Sequence, residues 1–290
     1  MMLSISCASI ATARFCHHQT KGFSMSKIRS NLEGQWHEPG VLPLPPLLQQ
    51  KFHFLGRGLQ SFVFSSEDGQ YVLKIFNNRY QRKIQLFSLL SHLPGISSWS
   101  KERAAYFEKK LHQTFASYQI AFEEMQDQTG LIYIHLSPTS YLPSSLTIVD
   151  ALNISHVIDP NQTGFLIQKR ATLVYPALNG FLERQDIDGA ERAISNLIEL
   201  FFWKWRHGIA DNDPLIRTNY GFLGTQVIQI DVGPLSKQAI SCEEQKKKIT
   251  HITASLKFWL NKNAPELIPI LDRELQQQLS SQKRQLETAN

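Results

Sequence analysis

Residues 52–76 read FHFLGRGLQSFVFSSEDGQYVLKIF, and the fold turns on them. Phe52, Phe54, Phe62, Phe64, Tyr71, Leu73 and Ile75 are aromatic or aliphatic and mostly alternate with other residues. That is strand periodicity, in which successive side chains point to opposite faces. Glu67-Asp68-Gly69-Gln70 is turn chemistry, so consecutive antiparallel strands are expected. Gly56 and Gly58 are expected at the tip of the first hairpin. There the missing Cβ lets backbone N–H groups approach a phosphate.

Gly56-x-Gly58-x-x-Ser61-x-Val63 precedes Val72-Leu73-Lys74-Ile75, with Lys74 sixteen residues after Gly58. The pair resembles the GxGxxGxV loop and VAIK strand of protein kinases, with Ser61 in the third glycine's place. The resemblance implies an α+β, bilobal protein kinase-like fold. An antiparallel β N-lobe with one long helix would span about 50–168, and a reduced, mostly helical C-lobe about 169–290. It also implies that Gly56, Gly58, Ser61 and Val63 cover a nucleotide, ATP, whose α- and β-phosphates Lys74 clamps. The stretch is not a P-loop, since no GK[ST] follows the glycines, and not a Rossmann turn, since no helix does. Read without the resemblance, it is an ordinary hairpin with a surface lysine.

Downstream, Ala104, Phe107, Leu111, Phe115, Tyr118, Phe122 and Met125 recur at spacings of three and four, which predicts a helix over 101–126. The kinase-like resemblance implies that this helix supplies a glutamate to Lys74. Glu108, at the edge of the apolar stripe, is preferred to Glu102, Glu123 and Glu124. The bland alternative is a solvated flank residue pairing with Lys101 or His112. Strand character resumes at 131–136, again in the apolar run 146–158, and at 165–168. In the kinase pattern the last strand enters the hinge, which would put Gln168, Lys169 and Arg170 near the adenine.

A second helical stripe (Ala190, Ile194, Leu197, Phe201, Trp205) leads into residues 207–233, HGIADNDPLIRTNYGFLGTQVIQIDVG. These read as loop, hairpin and an acid at a strand end. The stretch resembles the HxD-x4-N and DFG loops of the kinase superfamily, with Asp231-Val232-Gly233 standing for DFG. The resemblance implies that Asn219 and Asp231 hold Mg²⁺ through oxygen, as a hard cation requires. The aspartate expected five residues before the asparagine is Pro214. A one-residue insertion would make Asp213 the base; Asp211 is the other candidate. His207-Gly208 is similar to the HGD of aminoglycoside-type phosphotransferases, without the aspartate following directly. Read structurally, Asp211 and Asp213 are turn residues and Asp231 ends a strand.

After Gly233 come two expected helices, over 243–261 and 264–286, and no APE motif. The short remainder argues against a peptide-gripping platform and leaves room for a small-molecule acceptor. Lys246-Lys247-Lys248 reads as a solvated helical turn rather than a nucleic-acid patch. Ahead of the first strand, residues 39–46 (PGVLPLPP) read as a linker in preference to a PxxP ligand. Residues 1–25 contain no acid and are rich in Ser, Thr and Ala, which reads as a disordered tail before a start at Met25, or else as a targeting or secretion segment. Cys16-His17-His18 lacks partners at metal-ligand spacing.

The 290 residues, 42% hydrophobic and 19% charged, exclude global disorder. No run of eighteen apolar residues predicts a membrane helix. Three cysteines make neither a disulfide framework nor a zinc site, so a cytoplasmic chain is expected, or a secreted effector if the first segment is a signal. The net charge of +5 is weak support for a nucleic-acid partner. Two functions stand: an ATP- and Mg²⁺-dependent phosphotransferase of unknown acceptor, and a pseudokinase serving as a nucleotide-binding or protein-interaction scaffold.

Overall fold

The computed structural model describes residues 14–28 and 45–288. Its chain divides into two compact units, Met1–Phe115 with Leu131–Arg170, and Ala116–Gly130 with Ala171–Asn290. The boundary thus differs from a single cut near residue 168. The second unit takes back 116–130 because the helix carrying that segment continues past Phe115.

The first unit is built on one seven-stranded sheet: β1 (Phe52–Arg57), β2 (Ser61–Ser66), β3 (Tyr71–Phe76), β4 (Leu131–His135), β5 (Leu146–Val149), β6 (Ser155–Ile158) and β7 (Phe165–Lys169). Their order is β4-β7-β3-β2-β1-β5-β6. All neighbours run antiparallel except β1 and β5. Gly69 closes the β2–β3 turn at φ +70, a left-handed conformation that glycine reaches without a Cβ clash. Helix α1 (Arg79–Leu90) follows β3, and helix α2 (Ser97–Glu124) precedes β4. Glycine hairpin, lysine strand, long helix and closing strands come in the order the kinase-like resemblance implies, so the unit has that antiparallel N-lobe. The apolar run 146–158, however, is a separate hairpin, β5–β6, added beside β1.

Directly opposed residues of antiparallel strands share a face. Phe62↔Ile75 and Phe64↔Leu73 therefore line one face, and Val63↔Lys74 the other. The Phe62 face is covered by residues 14–28, which the sequence reading assigned to a disordered tail. Phe23 is only 3% exposed. Its ring meets Phe62 at 5.2 Å and Phe64 at 5.7 Å, edge to face. Burying such a ring contributes about 1.5–3 kcal/mol, enough to hold the segment down. The proline strap over 39–44 lies outside the described residues, as does Cys7.

The second unit is mostly helical: β8 (Thr172–Leu173), α3 (Val174–Glu183), α4 (Ile187–Arg206), β9 (Ile209–Asp211), β10 (Tyr220–Leu223), β11 (Gln226–Gln229), β12 (Leu235–Lys237), α5 (Cys242–Asn263) and α6 (Ile268–Thr288). Two small sheets, β11-β10-β8 and β12-β9, frame the loops between them. Helix α4 is the spine of its core, with Ile194, Leu197 and Phe201 buried against Leu256, Leu260 and Leu271. The helix starts where the Asp186 carboxylate accepts from Gly189 N at 2.8 Å, satisfying one of the donors every helix leaves open. Asp186→Ala is expected to cost about 1 kcal/mol, read as a lowered urea midpoint with an unchanged slope. The lysine run on α5 behaves as a solvated helical turn, with Lys247–Glu243 and Lys248–Glu244 paired one turn apart. Among the described residues no helix is long and apolar enough to cross a membrane.

Candidate functional site

In the first unit, Gly58 lies at the tip of the β1–β2 hairpin, where its N–H donates to Ser61 O at 2.9 Å. Gly56 does not. It sits within β1 opposite Val63, because the register shifts between Phe54 and Gly56 and the bulge absorbs one residue. Neither glycine takes a positive φ. Ser61, in the third glycine's place, is buried and pairs with Phe76. Lys74 lies in mid-strand between Val63 and Leu166 and is 7% exposed. It is therefore no surface lysine, and an ammonium that deep needs polar company. Gln168 is buried between Val72 and Leu131. Arg170, expected near an adenine, bonds Ser65 Oγ at 3.0 Å.

Glu108 does not hold Lys74. It is exposed and makes no ion pair among the described residues. The reason is helical phase. At about 100° per residue, a buried arc centred on Leu111 leaves Glu108 at its edge. The observed arc also takes in Thr114, Ser117 and Ala121, while Leu111 and Phe122 are only half-buried. That rotates the buried face away from Glu108.

The second unit gathers the remaining candidates. Strand β9 ends at Asp211, 8% exposed, both of whose oxygens accept hydrogen bonds. Oδ2 accepts from Lys204 Nζ at 2.8 Å, Tyr220 OH at 2.8 Å and Gln229 Nε2 at 3.0 Å, and Oδ1 accepts from Asp213 N at 3.0 Å. Lys204 donates also to Tyr220 OH at 2.7 Å and Gln229 Oε1 at 3.0 Å. Burial pushes the Asp211 carboxyl up, but the Lys204 charge and these hydrogen bonds outweigh it and hold it below the usual carboxylate value. Burial pulls the Lys204 ammonium down against the Asp211 charge. All three ammonium protons of Lys204 are matched, which compensates the burial of the pair. Tyr220 stays a phenol: burial, then the Asp211 charge, raises it well above its ordinary value. Asp211 is thus a buried anion paired with Lys204, with Oδ2 accepting three hydrogen bonds and Oδ1 one.

Asp213, two residues on, is exposed. Its carbonyl accepts from Asn219 Nδ2 at 2.6 Å. Asn219 Oδ1 accepts from Thr218 Oγ1 at 2.8 Å and keeps its second lone pair. The Asn219 carbonyl in turn accepts from Ile230 N at 2.8 Å and Asp231 N at 3.3 Å. Gly233 lies against the Asp213 side chain, where a Cβ would stand 3.0 Å from the Asp213 Cβ. One asparagine therefore ties the loop of Asp213 to the strand end of Asp231. Tyr118, buried on the final turns of α2, is raised well above its ordinary value by burial and then by the Asp231 charge. Leu235 N donates to Ser117 Oγ at 3.0 Å, and Lys237 pairs with Glu124, so α2 also holds the segment after Gly233.

Asn219 thus links the backbones of Asp213 and Asp231, while the Asp211 carboxylate is held by Lys204, Tyr220 and Gln229. Among the described residues no group of three or more His, Cys, Asp or Glu could hold a metal ion by itself. The Asp231 carboxylate and the Asn219 amide oxygen, the pair the resemblance assigns to Mg²⁺, are oxygen donors of the kind a hard cation takes. Lys204 escaped the sequence reading although a signal was there. It falls three residues after Phe201 and seven after Leu197, inside the apolar stripe of α4, where an unpartnered lysine would not be tolerated.

No protein-family profile matches the chain, and no curated protein does. Among solved structures, the complex of Rv3197 with erythromycin from Mycobacterium tuberculosis is similar at 15% identity and a TM-score of 0.35, over 76% of this chain and 53% of that one. The co-crystal of WbdD with the kinase inhibitor LY294002 is similar at 14% identity and 0.35, over 80% and 45%. The ROP18 kinase domain with AMP-PNP and sucrose is similar at 15% and 0.33, over 65% and 54%. The chain spans about half the length of these structures.

Proposed function

We propose that this chain is an ATP- and Mg²⁺-dependent phosphotransferase of kinase-like build. The observation that carries the reading is the Asn219 link, which joins Asp213 to Asp231 through one side chain and one carbonyl. Lys74 neutralises phosphate oxygens, and Asp213 orients the acceptor hydroxyl and accepts its proton. Asn219 Oδ1 and Asp231 are the oxygen donors for Mg²⁺. That ion, when bound, neutralises charge on the phosphates. Catalysis of this type is positioning and electrostatics, with little covalent work for the protein. The exposure of Glu108, the glutamate the resemblance assigns to Lys74, favours the second reading, a pseudokinase that binds nucleotide without turnover.

The test is thermal unfolding of the full chain with ATP, with and without Mg²⁺, beside Lys74→Ala and Asp231→Ala. A ligand bound only to the folded state stabilises it by about 2.7 kcal/mol at one hundred times its Kd. The expected result is a metal-dependent rise of several degrees in the wild type that both variants lose. No rise in the well-folded wild type would remove the nucleotide and leave a kinase-shaped protein-interaction scaffold as the better reading.

A further inference from the structure

A cavity of about 490 Å³ lies at the end of the first unit's sheet, between the β1–β2 hairpin, the start of α1 and the segment 22–27. Lys27, Arg57, Arg79 and Arg82 line it, and no acidic residue does. Phe62 also lines it, which puts the cavity on the Phe62 face of the sheet, opposite the face of Lys74. We propose that this cavity is a second site, separate from the Lys74 face, that binds a small phosphorylated metabolite through its phosphate or pyrophosphate group.

Three features argue for an anion of that class. First, Lys27, Arg57 and Arg79 are each held by contacts to neighbouring segments of the chain, although Arg57 and Arg82 are exposed. Lys27 Nζ donates to Gly22 O at 2.6 Å. Gly22, at φ +79, leaves space that the Arg57 guanidinium occupies, since any Cβ there would strike it. Arg79 Nη1 donates to Leu59 O at 3.2 Å and holds the hairpin tip. Second, the twelve-residue helix α1 opens at the cavity with no acid in its first turn, and Arg79 and Arg82 stand there instead. Cations at the positive end of a helix dipole oppose it, whereas an anion satisfies the dipole and the guanidinium groups together. Third, the cations feel one another: Lys27 is lowered by burial, then by the charges of Arg57 and Arg82. A phosphate dianion relieves that repulsion, and planar guanidinium forks match its oxygens in pairs. The volume admits a pyrophosphate or a phosphorylated sugar, not a bare halide alone.

The test is isothermal titration of the full chain with pyrophosphate, without nucleotide or metal. Wild type and Lys74→Ala are expected to bind within twofold of each other, and the Arg57→Gln/Arg82→Gln double variant at least tenfold more weakly. Lys83→Gln, on α1 but outside the lining, serves as the charge control and is expected to bind like the wild type. Unchanged circular dichroism of each variant shows that it folds. Should the double variant not fold, Arg82→Gln alone, whose side chain is exposed, is expected to weaken binding at least threefold. Absence of binding to the wild type would overturn the proposal. So would loss in Lys74→Ala with retention in the arginine variants, or equal loss in Lys83→Gln. Because the Lys74→Ala arm is read separately, this site and the nucleotide reading fail independently.

Discussion

Lys204→Met is expected to destabilise the folded chain by about 3–5 kcal/mol, measured as a fall in the urea midpoint. The substitution removes the cation from a carboxylate that is 8% exposed and leaves Tyr220 and Gln229 as its main donors. Breaking a buried pair from one side is worse than never having built it. Accordingly, Lys204→Met with Asp211→Leu is expected to recover much of the loss, which a double-mutant cycle would report as a large coupling energy. Additive single-site losses would mean that the two groups do not act as a pair. The pH dependence follows from sign. The Asp211 carboxyl lies below its ordinary 3.8 in the folded state, so its contribution is present above that value and is lost as pH falls through the folded one. In Lys204→Met, burial dominates and raises the carboxyl instead. The gap between wild type and variant is therefore expected to narrow on acidification from pH 7 to pH 4.

Asp213→Asn is expected to lower Mg²⁺-ATP turnover by roughly 10²- to 10⁴-fold, the usual contribution of a positioned acid or base. Hydrolysis to phosphate is the readout that needs no acceptor. The amide keeps the side chain's size, and the bond from Asn219 goes to the Asp213 backbone carbonyl, so the loop persists. Asp213 is exposed, so the urea midpoint should stay within about 0.5 kcal/mol of wild type, and the ATP-induced thermal shift should persist. Asp211 is not expected to substitute, because its carboxylate is buried and paired with Lys204. Wild-type turnover no faster than solvent, alongside a preserved thermal shift, would instead establish the scaffold reading. Unchanged turnover in Asp213→Asn would remove that residue from the chemistry.

Much of the element order was legible because periodicity is a local property. Alternation over 52–76 marked β1 to β3, and the stripes led by Ala104 and Ala190 marked α2 and α4. Helix α1 left no such mark. None of its residues is buried, so no apolar face was required of it, and Leu86 and Leu89 stand exposed. The hairpin β5–β6 read as one apolar run, since Leu146 and Ile158 bracket a turn around Asn153, which sits at φ +61. Residues 14–28 read as a tail because so short a segment carries its apolar residues without a period. Only the aromatic face that β1 and β2 assemble gives Phe23 a place to go.

The candidate site divides along the same line. The kinase-like resemblance marked Lys74, Asn219 and Asp231, since each stands in the order and near the spacing of that family's motifs. Spacing left Asp211 and Asp213 as alternatives, two residues apart and chemically identical. Tertiary structure separated them. The lysine on α4 and the phenol and amide on β10 and β11 converge on the first, and an asparagine amide closes on the backbone of the second. Likewise, Glu108 lies on the edge of a stripe whose phase is set by what packs against it, not by its own helix. What the sequence by itself determined is the alternation of faces and the order of elements, because these depend on neighbours three or four residues away. Which acid is structural and which is exposed depends on partners up to eighteen residues away along the chain, and only the packed fold brings those together.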